Sequence, residues 1–118
     1  MALGGALGSV MRYGVGRIAV NYFGASPLWG TFFVNITGSF ALGLFITLTM
    51  EKVSVPAEYR GLVTVGLLGG YTTFSTLTVE AIRLAESGEV LEAGLSVAGN
   101  VFFGLLAAYL GFQAARAF

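Results

Sequence analysis

The sequence predicts an all-α membrane protein with four transmembrane helices, the third of which is broken near its middle. Composition is the first observation behind this fold class: 56% of the 118 residues are hydrophobic and only 10% are charged. A soluble domain carries about 25% charged residues. Length is the second, because a helix needs about 20 apolar residues to cross the hydrocarbon core. Four such spans joined by short turns use nearly the whole chain.

The predicted organisation is a single four-helix transmembrane domain covering residues 1–118. Its spans are approximately 3–22, 30–50, 57–86 and 90–115. We therefore expect a multi-pass protein of the inner (plasma) membrane, in contact with the lipid bilayer. Basic residues are almost evenly divided between the two sides, so the positive-inside rule gives no firm orientation. A chain with this balance can insert either way.

Several function classes are disfavoured by the residues that are missing. The chain has no Cys and no His, and it has six basic and six acidic residues. Thiolate nucleophiles, the usual general base and most zinc sites are therefore absent. We do not expect an enzyme. No basic stripe suggests nucleic acid binding.

The break is predicted from residues 69–77, Gly-Gly-Tyr-Thr-Thr-Phe-Ser-Thr-Leu. Glycine costs about 1 kcal/mol against alanine in a helix interior, and threonine loses rotamer freedom there. We expect the first half of the span to end at Gly69-Gly70, and the second half to restart near Thr72 or Thr73, either of which can act as an N-cap. Backbone that leaves a helix in hydrocarbon must be satisfied by protein, water or an ion.

Polar side chains share one face of the second span, since Thr31, Asn35 and Ser39 are four residues apart. One interpretation is that Asn35 forms an interhelical hydrogen bond that holds the bundle together. The other is that this face lines a pore and offers the amide N–H groups to a passing anion. The two interpretations are compatible.

Two charged residues within the spans are further candidates, because intramembrane charges are costly and often functional. Arg12 either faces an aqueous vestibule or extends to the membrane interface. Glu80 is either a functional carboxylate or a structural acid, paired with Arg83 or Arg12.

Three motifs resemble the Fluc (CrcB) family of small fluoride channels. They are GGALGSVMRY at 4–13, GTFFVNITGSF at 30–40 and GLLGGYTTFST at 66–76. The resemblance extends over the whole chain in length and helix count. It implies an antiparallel, dual-topology homodimer with two pores and a structural sodium ion at the centre of the dimer.

The resemblance also implies roles for individual residues. The sodium carbonyls fall on Gly69 and Thr72. The anion pathway takes in the pore asparagine Asn35, the vestibule arginine Arg12, the aromatic Phe74, and a polar lining of Ser75, Thr76 and Glu80. One departure is Leu77, where the family commonly has a second phenylalanine. The sequence does not decide whether Phe102 or Phe103 takes the place of that second phenylalanine.

The function implied is a passive fluoride-selective channel that exports fluoride and relieves its toxicity, with fluoride and a second copy of the chain as partners. The alternative is a small dual-topology, proton-coupled exporter of the multidrug type. That class needs an ionisable carboxylate in the first helix. The first span here carries arginines and no acidic residue.

Overall fold

The computed structural model describes residues 1–24 and 27–118, and within these ranges the secondary structure is helical, without a β-strand. The helices are α1 (Ala2–Phe23), α2 (Pro27–Glu51), α3 (Ala57–Gly61), α4 (Gly69–Tyr71), α5 (Ser75–Glu86) and α6 (Val90–Arg116). A π-helical stretch, Leu62–Leu68, joins α3 to α4. The predicted all-helical fold is confirmed.

Three segments of the described chain are long and apolar enough to cross a membrane. They are Leu28–Glu51, Ala57–Glu86 and Val90–Arg116, with mean hydropathies of 1.7, 1.3 and 1.7. The first helix has 22 residues, about 33 Å at 1.5 Å per residue. It carries Arg12 and Arg17, and it is not one of the three.

The third span is interrupted between α4 and α5, within the predicted stretch 69–77 but after Gly69-Gly70. Gly69 keeps helical angles (φ −63°, ψ −38°), whereas Thr72 is extended (φ −83°, ψ 159°) and α5 begins only at Ser75. The expectation that the first half ends at Gly69-Gly70 is therefore wrong, and the break lies at Thr72–Phe74. The position of Gly70 explains the difference, because a Cβ there would lie 2.6 Å from the carbonyl oxygen of Gly5 in α1.

The first helix packs against the π-helical stretch and α4 with the backbones almost in contact. A Cβ at Gly8 would overlap the carbonyl oxygen of Leu67 and lie 2.9 Å from the amide nitrogen of Tyr71. Small residues allow this approach between membrane helices, where dispersion contacts replace the hydrophobic effect. Gly66 and Gly70 of the third span thus serve the packing against α1, and the break is made by the residues that follow.

The two longest helices, α2 and α6, pack along most of their length and form the frame of the molecule. Their ends are joined by an ion pair of 3.3 Å between Glu51 and Arg116. Because both side chains are about half exposed, the pair adds at most about 1 kcal/mol. The frame is therefore held by packing, and the segments around the break are attached to it.

Gly8→Ala should destabilise the protein, because the added methyl group must displace the backbone of Leu67. Overpacking of this kind costs about 1–3 kcal/mol. The matched control is Gly14→Ala in the same helix, where an added Cβ meets nothing within 4 Å. The control should be neutral or slightly stabilising, since alanine favours a helix by about 1 kcal/mol over glycine. Thermal unfolding in detergent compares the two, and equal stability would contradict the close packing.

Candidate functional site

The break in the third span is held by the side chain of Asn35 from α2. Its Oδ1 accepts a hydrogen bond from the backbone N–H of Thr73 at 2.8 Å, and its Nδ2 donates to the carbonyl oxygen of Thr73 at 3.1 Å. A buried backbone group that has left a helix needs such partners. The amide thus supplies both bonds that Thr73 loses by leaving the helix.

The same amide continues to α6. Asn35 Nδ2 also donates to Asn100 Oδ1 at 2.9 Å, and Asn100 Nδ2 donates to the carbonyl oxygen of Ser96 at 2.8 Å. Both amide hydrogens of Asn35 therefore have acceptors in the protein. The interhelical hydrogen bond considered from the sequence is present. A direct role of Asn35 in a pore stays a prediction.

Asn100 was not among the site residues predicted from the sequence, although it is 7% exposed and central to this hydrogen-bond chain. A signal was present, because an asparagine within an apolar span needs a polar partner. The sequence shows no pairing between positions 65 residues apart, so Asn35 remained one of several possible partners.

The restart of the helix depends on Thr73. Its Oγ1 donates to Thr76 Oγ1 at 3.1 Å and accepts from the backbone N–H of Thr76 at 3.3 Å. This bond, from the N–H three residues on, is of the kind that an N-cap side chain makes. Of the two threonines considered from the sequence, Thr73 makes it. Thr72 instead bonds back to the carbonyl of Leu68 through both its N–H and its hydroxyl.

The backbone N–H groups of Thr73 and Thr76 donate to side chains. Two backbone carbonyls therefore lack the N–H partners that a regular helix would give them. In a regular helix the N–H of Thr73 would bond to Gly69, and that of Thr76 would bond to Thr72. In the described part of the chain, no backbone N–H donates to the carbonyl of Gly69 or to that of Thr72. These are the two carbonyls named from the family resemblance.

Tyr71 attaches the last turn before the break to α2. Its ring is 8% exposed, and its hydroxyl lies 2.9 Å from Thr37 Oγ1. Because the Thr37 hydroxyl donates to the carbonyl of Phe33 at 2.8 Å, the tyrosine is the donor of this bond. The residues on both sides of Thr72 are therefore fixed to α2.

Two cavities adjoin the break, and Thr73 lines both. The first has a volume of about 260 Å³, and its lining includes Asn35, Thr72, Phe74 and Leu77. Phe74 is 76% exposed, whereas Leu77 is 3% exposed. The ring of Phe74 thus projects from the surface beside the break.

The second cavity, of about 680 Å³, is lined by Arg12, Thr31, Thr76 and Glu80 as well as Thr73. A water molecule occupies about 30 Å³ in the liquid, so the space admits many. Arg12 and Glu80 form no ion pair with each other in the described chain, nor does Glu80 with Arg83. Glu80 Oε1 is buried without a hydrogen-bond partner there. The pairing of Glu80 with an arginine, one of the two readings from the sequence, is therefore absent among the described residues, and Arg12 and Glu80 border the same open space.

The site residues predicted from the sequence thus fall into two groups around Thr73. Asn35, Thr72 and Phe74 line the first cavity, and Arg12, Thr76 and Glu80 line the second. Gly69 and Ser75 are exposed and line neither.

A third cavity, of about 490 Å³, lies between α2 and α6, and its lining includes Trp29, Phe32, Ser96, Asn100 and Phe103. The rings of Phe32 and Phe103 meet edge to face, with centroids 6.0 Å apart. Phe103 therefore packs in the groove between α2 and α6. Among the described residues, it is not part of the lining of the first cavity, which includes Leu77.

Fold and site together define a small helical membrane protein with a helix interrupted in the bilayer and polar groups gathered at the interruption. Irregular backbone at membrane depth occurs where it is buried or lines a cavity, and polar groups there mark ion and solute pathways.

Comparison with known proteins agrees with this class. The family described as "CrcB-like protein, Camphor Resistance (CrcB)" matches residues 1–112. The chain is 44% identical over 116 residues to the "Fluoride-specific ion channel FluC" of Allorhizobium ampelinum, covering 98% of this chain and 93% of the relative. It is 46% identical over 113 residues to a protein of the same name from Thermus thermophilus, covering 96% and 90%. The chain belongs to the CrcB family.

Asn35→Asp should destabilise the protein although it barely changes side-chain volume. The new oxygen would face the carbonyl of Thr73 and Oδ1 of Asn100, two acceptors that now receive hydrogen bonds. Each buried group left unpaired costs about 1–3 kcal/mol. Asn21→Asp, at an exposed position of α1, is the matched control. Thermal unfolding should separate the two variants clearly, and equal melting temperatures would show that the Asn35 amide does not hold the break.

Proposed function

We propose that this chain forms a passive, fluoride-selective channel that lets fluoride leave the cell and so relieves its toxicity. The observation that carries the proposal is the near full-length identity, 44% and 46%, to two proteins named fluoride-specific ion channels. The polar break between two cavities supports it, because a permeation path requires polar groups at the middle of the membrane. We also propose that the protein lies in the inner (plasma) membrane, because a channel that lets fluoride leave the cell must cross that membrane.

Fluoride is small and strongly hydrated, so a narrow path must replace its water with hydrogen-bond donors. Thr76 and Ser75 offer hydroxyls beside the break, and a hydroxyl can rotate to donate. The exposed ring of Phe74 offers a positive edge that an anion can approach. Asn35 belongs to this pathway in our proposal, at least by shaping the backbone that the anion passes.

The second cavity has the character of an entry vestibule. Arg12 places a positive charge in it, which raises the local concentration of anions. Thr31, Thr76 and Glu80 give the same space a polar lining. A lone carboxylate would repel an anion from this space, but Glu80 shares the cavity with Arg12 and Arg17, so the three charges sum to +1.

We further propose that two chains assemble as an antiparallel homodimer. Two features of the single chain support this assembly. Its basic residues are almost balanced between the two membrane sides, which allows both orientations. Its carbonyls at Gly69 and Thr72 receive no backbone N–H from residues 1–24 or 27–118, and in hydrocarbon they need a partner. Opposite insertion of two copies would create between chains the inverted repeat that many transporters contain within one chain.

A structural sodium ion fits those carbonyls. They are neutral oxygen donors, which suit a hard cation, and the described residues contain no group of three or more His, Cys, Asp or Glu side chains. A divalent ion usually recruits carboxylates and is less suited to this donor set. The carbonyls of Gly69 and Thr72 from both chains would hold the ion. Its charge would compensate the opened backbone at the centre of the dimer.

The test of the proposed function is fluoride efflux from liposomes that contain the purified protein, with chloride as the comparison anion. We expect efflux down the fluoride gradient, much slower chloride efflux, and no requirement for a proton gradient. Folded Asn35→Asp should lose fluoride efflux, whereas Asn21→Asp should retain it. Equal fluoride and chloride rates would refute selectivity, and transport that stops without a proton gradient would indicate the exporter class instead.

Removal of sodium tests the cation. Fluoride efflux should decline slowly after sodium on both sides is replaced by a large organic cation, and it should recover when sodium returns. The loss should be slow because the ion is structural and must leave a closed site. Protein kept in sodium through the same incubation is the control. Unchanged efflux after long equilibration without sodium would argue against the ion.

A further inference from the structure

We infer that the hydrogen bond from Tyr71 to Thr37 holds the break in the shape that the proposed cation requires. Tyr71 is thus a positioning residue for the backbone carbonyls of Gly69 and Thr72. This role rests on the sodium ion of the proposed function, and the two carbonyls remain its proposed ligands.

The break is attached to two sides of α2 by different residues. Before Thr72, the hydroxyl of Tyr71 donates to Thr37 Oγ1 at 2.9 Å. After it, the backbone N–H of Thr73 donates to Asn35 Oδ1 at 2.8 Å. Residues two apart on an α-helix point about 200° apart, so Asn35 and Thr37 lie on nearly opposite sides of α2. The opened segment therefore crosses α2, and each end has its own anchor.

Gly38 of α2 contacts the middle of this crossing. A Cβ at Gly38 would overlap Cγ2 of Thr72 and would lie 3.2 Å from Cδ2 of Tyr71. Both side chains therefore lie directly on the backbone of α2. The crossing is tight at its centre, and its two hydrogen bonds decide how the backbone is turned over that contact.

The bond to Asn35 sets the direction of the Thr72 carbonyl. The peptide bond between Thr72 and Thr73 is trans, and the C=O and N–H groups of a planar trans peptide point in opposite directions. Because the N–H of Thr73 donates to Asn35, the carbonyl of Thr72 points away from that side chain. The same bond does not fix the carbonyl of Gly69, which lies three residues earlier in the last helical turn.

The Gly69 carbonyl depends on the bond to Thr37. Gly69 begins α4, the turn that ends at the break, and has helical angles (φ −63°, ψ −38°). Carbonyls in the last turn of a helix have no helical N–H partner, and helix ends fray. Since Gly69 and Gly70 have no side chains, Tyr71 is the one residue of α4 that can hold α2 through a side chain. Its hydroxyl therefore keeps this turn, and the Gly69 carbonyl with it, in place.

Loss of the Tyr71 hydroxyl should weaken cation binding while the ring stays where it is. Tyr71→Phe keeps the ring contact with Gly38, and Thr37 keeps its own donation to the carbonyl of Phe33 at 2.8 Å. The last turn then populates other geometries, and the apparent affinity falls with the fraction that still fits the ion. One hydrogen bond of about 1 kcal/mol corresponds to about a fivefold change.

The experiment measures binding of radioactive sodium to the purified full-length protein in detergent by equilibrium dialysis. A large organic cation keeps the ionic strength constant. Tyr71→Phe should raise the sodium concentration at half-saturation about fivefold. Thr37→Ser, which keeps a hydroxyl, should restore the wild-type value. Tyr109→Phe, which removes an exposed hydroxyl from α6, is the matched control and should bind sodium like wild type.

Thr37→Val and the double variant with Tyr71→Phe test whether the bond itself is responsible. Both lack the same hydrogen bond as Tyr71→Phe, so all three should share one half-saturation concentration. Thr37→Val should melt at the lowest temperature, because the hydroxyl of Tyr71, a residue only 8% exposed, then loses its acceptor. Each variant tests the bond, so the result does not depend on the folding of any one of them.

Melting temperature in sodium-free buffer separates positioning from simple stabilisation. A hydrogen bond that only stabilises the fold would lower the melting temperature of Tyr71→Phe and leave half-saturation unchanged. That result would overturn the inference. So would the absence of saturable sodium binding by the wild-type protein.

Fluoride efflux from liposomes that contain the same wild-type protein is measured separately. Efflux without sodium binding would refute the cation and the role of Tyr71, and would keep the channel. Sodium binding that weakens in Tyr71→Phe, in a protein that does not conduct fluoride, would keep the role of Tyr71 and refute the channel.

Discussion

The pair of hydrogen bonds between the Asn35 amide and the backbone of Thr73 is the interaction on which the rest of the site depends. A helix that opens inside a bilayer exposes peptide groups to hydrocarbon, where each unpaired group costs several kcal/mol. One side chain from α2 satisfies the N–H and the carbonyl of the same residue. The threonine hydroxyl is then free to begin α5, and the carbonyls before it are released.

The opened segment is held from two sides by different kinds of contact. On one side, directional hydrogen bonds join it to α2 and, through Asn100, to α6. On the other side, α1 approaches it backbone to backbone at glycines, and only shape is involved. Hydrogen bonds fix which groups face the cavities, and close packing limits how far the loosened backbone can move. A polar site can therefore be rigid within a span that lacks a continuous helix.

Much of this architecture could be predicted from the sequence, because apolar length and composition determine how many segments a bilayer can hold. The composition of residues 69–77 predicts a broken third span, and the spacing of Thr31, Asn35 and Ser39 predicts a polar face on α2. The position of the break could not be predicted, since a glycine that permits close packing looks the same as one that opens a helix. Only the contact of Gly70 with Gly5 distinguishes them. The hydrogen bond between Asn35 and Asn100 could not be predicted, because the sequence does not show that α2 and α6 are neighbours. The absence of an ion pair between Glu80 and an arginine among the described residues depends on the distances between their side chains, which the sequence does not give.

The site depends on how the backbone is wound in the π-helical stretch Leu62–Leu68, which precedes the break. A π-helical turn holds more residues than an α-helical turn, so this stretch sets the angle at which the chain arrives at Thr73. If this stretch became α-helical with every residue kept, the extra residue of the π-helical turn would rotate everything downstream by about 100°. Thr73 would then turn away from Asn35, although every residue of the site would still be present. The helical winding of Leu62–Leu68, an apolar segment that lines neither cavity at the break, thus decides whether the site exists.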